Sequence, residues 1–168
     1  MYTPILDALA EHKPQTLAQL EQALKGQNIA FAQLVQAVMI LAASGTLVAV
    51  QDNAITQKAK KHTDKLNACL LDKARGSADI TYLASPVTGG GVTVNRFQQL
   101  FMLALGHGKK LPAEWAQFTW QVLAAQGQKM VKEGKTLETP EENIAVLTEQ
   151  AKTFAGKQLP ILKALQIV

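Results

Sequence analysis

Apolar positions in this chain recur mostly at spacings of three and four, the period of helices that bury one face. At the front, Ile5, Leu6 and Leu9 share such a face. Thr3-Pro4 predicts its start, with threonine as cap and proline at the first helical position, and Lys13-Pro14 its end. Thr16 then predicts the cap of a second helix, with Gln19 completing a capping box and Gly26 past its end. Leu17, Leu20 and Leu24 are spaced to bury that helix. A third helix is expected from about Ile29 to Ser44, burying Phe31, Leu34, Val35, Val38, Met39 and Leu41 before Gly45 stops it. Thr46 to Gln51 then reads as a strand, Asp52-Asn53 as a tight turn and Ala54 to Thr56 as a return strand. Three short helices followed by a hairpin are the order of a winged helix.

Further on, Thr63 is the expected cap of a connector helix ending near Arg75, with Leu66, Cys69, Leu70 and Leu71 facing inward. Asp79 to Ala84 alternates as a strand until Ser85-Pro86, since proline removes a ladder donor. Asn95 and Gln98 form a second capping box, ahead of the apolar face Phe97, Leu100, Phe101, Ala104 and Leu105. Pro112 is the expected start of the longest helix, reaching about Lys132. It would carry Trp115, Phe118, Val122 and Met130 inward, with Trp120 partly exposed and Lys129 and Lys132 in its last turn. Thr139-Pro140-Glu141-Glu142 marks a final helix start, followed by Ile144, Leu147, Ala151 and Phe154. Gly156 and Pro160 then predict a kink or a separate turn. The expected architecture is mainly α with short β hairpins, a winged-helix-like N-terminal part packed with a C-terminal helical part. Its divisions are 1–57, a connector at 58–78, and 79–168 as β-turn plus three or four helices.

Composition adds bounds. With 48% hydrophobic residues over 168 positions, the chain has ample material for a core. No apolar run reaches the ~18–20 residues of a membrane span. The N-terminus lacks the charged-then-apolar order of a signal peptide, so a cytoplasmic location with no membrane association is expected. The lone Cys69 agrees, because it cannot form an internal disulfide. The net charge of +4 comes almost wholly from lysine, Arg75 and Arg96 being the two arginines. From Ile29 to Ser44 there is no charged residue at all, and only Gln33, Gln36 and Ser44 carry side chains able to read a base edge. A recognition helix without a phosphate-anchoring cation lacks the main source of DNA affinity. This helix is therefore expected to pack against protein, with nucleic acid an unlikely partner. The cluster Lys58, Lys60, Lys61 and Lys65 reads as a solvated helix start.

The least ordinary stretch is Thr88-Gly-Gly-Gly-Val92. A dinucleotide or adenosylmethionine loop needs a helix that begins within the glycines and an acid about 20 residues later at the end of a strand. Here Val92-Thr93-Val94 intervenes, and Glu114, at about that distance, falls in a helix start. The triplet is expected instead as a turn between two short strands, where another chain could approach closely. No nucleophile elbow surrounds Ser85, and His12, His62 and His107 do not form a metal set. A small-molecule pocket beneath the glycine turn is a weaker alternative.

Two segments carry a family resemblance. Tyr82 to Phe101, around Ser-Pro-Val-Thr-Gly-Gly-Gly-Val, and Glu114 to Gln128, around Trp-Ala-Gln-Phe-Thr-Trp, resemble the C-terminal region of bacterial methyltransferase regulatory-domain proteins. Lys135 to Asn143 and Leu159 to Leu165 continue the match. That group includes protein-lysine methyltransferases, in which such a region follows a class I adenosylmethionine-dependent domain. The resemblance implies a non-catalytic regulatory or interaction module, with no catalytic, cofactor-binding or metal residue in this chain. Adenosylmethionine is expected only in a catalytic domain outside these residues. Its partner would be that catalytic domain or a protein substrate, and self-association into a homodimer stays open. Gly89, Gly90, Gly91, Trp115 and Trp120 are the candidate contact residues. The alternative reading is a winged-helix transcription regulator.

Overall fold

The computed structural model describes residues 1–168. The chain is mainly helical, with two short antiparallel hairpins. In order these elements are α1 (Tyr2–Ala8), α2 (Leu17–Ala23), α3 (Phe31–Ala43), α4 (Asn53–Lys73), β1 (Tyr82–Ser85), β2 (Gly90–Thr93), α5 (Arg96–Gly106) and α6 (Pro112–Ala124). They continue with β3 (Val131–Lys132), β4 (Lys135–Thr136), α7 (Pro140–Thr153), a π turn (Phe154–Gln158) and α8 (Leu159–Ala164). No helix is long and apolar enough to cross a membrane.

Three helix starts follow their capping chemistry. Thr16, Asn95 and Thr139 each accept an amide from the residue three positions on, and Gln19, Gln98 and Glu142 return the bond. The first start does not: α1 begins at Tyr2 behind Met1, so Thr3 and Pro4 lie inside its first turn. Pro160 cannot supply the amide an α ladder needs at that point. The chain accommodates it by widening into the π turn before α8, so the C-terminal helix continues with a bulge.

The apolar side chains form two clusters. The larger joins Leu83 and Val94 of the first hairpin region to Phe101, Met102 and Ala104 of α5, Trp115 and Leu123 of α6, and Leu147 and Ala151 of α7. Phe154, Leu159, Leu162 and Ile167 close it from the C-terminal end. The smaller contains Ile5, Leu20, Leu24, Leu34, Ala37 and Leu41, one buried face from each of α1 to α3.

Several expected elements differ in the structure. The wing is absent: residues 46–52 form no strand, and Asn53 onward continues into α4 with Asp52 at its cap. The presumed return strand Ala54 to Thr56 runs on into residues with good helix propensity, and an unpaired strand has no ladder to hold it. Thr63 therefore sits mid-helix, its hydroxyl bonded to the Lys60 carbonyl, and a division after residue 57 cuts through α4. Leu66 and Cys69 point outward, because the buried face of α4 is Thr56, Asn67 and, past its end, Ala74.

Helix α6 ends at Ala124 and is shorter than α4, against the expectation that it is the longest helix and reaches about Lys132. Met130, Lys129 and Lys132 belong to the following hairpin region. Glu133 and Gly134, both at positive φ (52° and 78°), make the two-residue turn of β3–β4. Such mirror-image turns match the strand twist.

Candidate functional site

The glycine triplet is a turn, as its residues imply. Ser85 pairs with Gly90 and Ala84 with Gly91, leaving Pro86 to Gly89 as the loop. Gly89 has φ +71°, and a methyl group on it would lie 2.5 Å from Gln51 Nε2. Gln51 donates its backbone amide to the Val87 carbonyl (2.8 Å) and its side-chain amide to the Pro86 carbonyl (3.0 Å). The close approach that the glycines permit is thus made within this chain, by the segment that follows α3. Gly90 is open on the side where a Cβ would point, and Gly91 lies against the Tyr82 ring.

The two tryptophans divide. Trp115 is buried, donating its indole N–H to the Lys109 carbonyl at 2.8 Å and meeting Phe154 edge-on at 6.1 Å. It is a core residue and presents no contact face, because its position on α6 points into the larger cluster. Trp120 is half-buried on the same helix. No single surface gathers the five sequence-named residues.

Buried polar side chains elsewhere act as tethers. Asn67 gives and takes one bond each with the Ala84 backbone, both at 2.8 Å, completing the open edge of β1 as another strand would. Ser85 Oγ donates to the Leu165 carbonyl at 2.8 Å and accepts from the Val87 and Thr88 amides. Asn143 accepts from the Met130 amide and donates to the Leu137 and Thr139 carbonyls, fixing β3–β4 to α7. Arg96 spans three elements. Its guanidinium donates to the Ala74 and Arg75 carbonyls at the end of α4 and to Gln128 and Gln126 beyond α6.

Arg75 bonds Asp72 and His107 and lies 5.4 Å from the centre of the Phe118 ring. Both arginines are therefore engaged in holding helix ends together. Single residues give no signal for these roles in sequence, since each partner is a backbone group or side chain from a distant element.

The shifted titratable groups are also structural. Backbone amides of Leu111 and Lys110 hold the Glu114 carboxyl below its ordinary value, and those of Thr139 and its hydroxyl do the same for Glu142. The exposed Lys13 ammonium beside Glu11 lowers that carboxyl, and the pair's own hydrogen bond raises Lys13 in return. No three His, Cys, Asp or Glu side chains are placed to hold a metal ion.

One surface stands out. Helix α3 buries only Leu34, Ala37 and Leu41, so Phe31 (50% exposed), Met39 (67%) and Ile40 (46%) face outward, against the expectation that Phe31 and Met39 are core. Val48, Val50 and Ile55 are exposed in the segment that follows. From Gly26 to Gln51 the chain contains no charged residue. Solvent-facing helix surfaces ordinarily carry charge opposite their buried stripe, and α3 departs from that pattern.

No protein-family model matches the chain, and no solved structure matches it. It is similar to the uncharacterized protein sll1526 of the cyanobacterium Synechocystis, with 39% identity over 167 residues, 99% of this chain. The aligned region is 32% of that protein, so the chain spans about a third of its relative's length.

Proposed function

We propose that this chain is a non-catalytic protein-interaction module that docks through α3 onto the catalytic domain of an adenosylmethionine-dependent methyltransferase, in the cytoplasm. The observation that carries the docking is the exposed, charge-free apolar surface of α3, on which Met39 lies between Phe31 and Ile40 around the half of the helix turned away from the small cluster. Fully burying a side chain of this size contributes about 1.5–3 kcal/mol relative to full exposure, and Phe31, Met39 and Ile40, already about half covered, would each gain about half of that. A nucleic-acid partner would gain little there, because nothing on the helix neutralises phosphate. The occupant is taken from two supports. The relative carries about two thirds of its length beyond the aligned region. The segments around Ser85–Val94 and Trp115–Trp120 resemble methyltransferase regulatory regions, where the module accompanies a catalytic domain.

The test has two arms. The chain alone is assayed for adenosylmethionine turnover and cofactor binding; turnover, or binding at micromolar cofactor, overturns the non-catalytic reading. The chain is then titrated calorimetrically against the separately produced remainder of the Synechocystis relative. Association is expected, weakened at least about tenfold by Met39→Lys, since a charge placed in an apolar contact must be desolvated without a partner. No association at tens of micromolar, or an unaffected variant, overturns docking through α3. A steep salt-dependent shift of duplex DNA would replace it with the transcription-regulator reading.

A further inference from the structure

Away from α3, a groove of about 420 Å³ runs between the start of α5 and the end of α7 with its π turn. That volume lies within the range of small-molecule sites. Its floor is aromatic: Phe97 is half-buried, and the buried Phe101 and Phe154 pack behind it with ring centres 5.8 Å apart and planes tilted by 49°. Its rim carries Glu149, Gln150 and Gln158. No lysine, arginine or histidine lines it, although the chain as a whole is basic.

Two features mark it as more than a crease. The π turn on its border is a local widening of the helix, of the kind that recurs at functional positions. Within that turn, the Gln158 side-chain oxygen is buried without a hydrogen-bond partner. An unsatisfied buried acceptor is destabilising until it finds a donor. No protein hydrogen bond holds the carboxamide, and Gln158 lines the groove, so a rotation of its side chain would bring the oxygen to a donor there. Glu149 is engaged only by Lys152 at 2.8 Å, with both side chains largely exposed. Such surface pairs contribute little and exchange partners readily.

An unpaired acceptor, a carboxylate whose one side-chain partner is the exposed Lys152 ammonium, and aromatic rings share one complement. Carboxylate and carboxamide oxygens take N–H donors, and the faces of phenyl rings attract positive charge. We propose that this groove binds a primary ammonium carried on an aryl or alkyl body. The hydrocarbon would lie on the Phe97 side, with the ammonium between Glu149 and Gln158. A free amine and the lysine side chain of a peptide offer this same chemistry.

The full chain, labelled with nitrogen-15, is titrated with 2-phenylethylamine, with N-acetyl-lysine amide, and with 3-phenylpropionate as the charge-reversed control. Saturable shifts of the Gln98, Gln150 and Gln158 amides are expected with at least one ammonium and not with the carboxylate. Tighter binding of phenylethylamine assigns the groove to free amines, and tighter binding of the lysine amide to peptides. Glu149→Gln, at an exposed position that leaves the core untouched, is expected to weaken binding about threefold or more. Gln158→Leu should weaken it as well, with the remaining amide spectrum confirming the fold. No saturable shift with either ammonium at millimolar concentration, equal response to the carboxylate, or an unchanged Glu149→Gln variant overturns the proposal.

Discussion

Gly89 shows how much one residue can decide here. Its positive φ disfavours any residue with a Cβ, and the space a Cβ would need is taken by the Gln51 side chain. Gly89→Ala is therefore expected to destabilise the chain by about 1 kcal/mol or more, read from the urea midpoint. Gly90→Ala, in open space, should stay within about 0.5 kcal/mol. The steric part belongs to Gln51, so Gly89→Ala should cost less when Gln51 is also alanine. A cycle of the four proteins measures this coupling, and strictly additive costs would show that strain at φ accounts for the whole effect. The glycine triplet announced a turn in sequence. That its neighbour is Gln51, nearly forty positions earlier, depended on where the tertiary structure brings the post-α3 segment.

At the scale of elements, the helix starts with polar boxes are the legible ones, because the capping bonds join residues three apart. Carboxylates at two helix starts, Glu114 of α6 and Glu142 of α7, make stability depend on pH. Glu114 and Glu142 are each held below the ordinary value of 4.5 by bonds to the ionised form. A carboxyl whose folded-state value is depressed contributes stability that is fully present above the unfolded-state value. That contribution disappears as pH falls through the folded-state value. The contribution of these groups should thus be full and independent of pH near neutrality and decline below about pH 4.5. The paired Glu114→Gln and Glu142→Gln variant should show a flatter decline between pH 5 and pH 2.5 in denaturant midpoints. An unchanged slope would assign the acid sensitivity to other carboxylates.

Two elements differ from the sequence reading for opposite reasons. Thr46 to Gln51 has strand-like residues, yet a hairpin needs a second strand in register, and the residues after Asp52 prefer helix. The β3–β4 hairpin went unread for the opposite reason. Its strands are two residues long, too short for any alternation, and Asn143 on α7 supplies the anchor.

For the whole molecule, two hydrophobic clusters of unequal size imply unequal stability. The six-residue cluster of α1 to α3 buries far less apolar area than the fifteen-residue cluster around α5, α6 and α7. The polar link named between the first three helices and the first hairpin is Gln51, bonded to Val87 and Pro86. Local opening free energy follows buried contacts, so amides of α2 and α3 should exchange with deuterium well before those of α5 and α7. Gln51→Ala should widen that difference. Uniform protection across both clusters would show that the chain opens as one unit. A partner covering Phe31, Met39 and Ile40 should slow exchange in α3 selectively, which ties this measurement to the docking reading.

The sequence by itself determined the mainly helical class, the capped starts of α2, α5 and α7, and the glycine turn. Each is written in residues within a few positions of one another, where periodicity and capping bonds act. It also exposed the charge-free run that singles out α3. Only the tertiary structure decided which apolar residues of that run are covered. Periodicity gives an apolar face but not its width, and with only α1 and α2 supplying the small cluster, a narrow stripe of α3 is buried and Phe31 and Met39 are left in solvent. The same holds for Trp115, Arg96 and Gln158. Their surroundings are built from elements far apart in the chain, and no local pattern encodes which of them meets a core, a helix end or a groove.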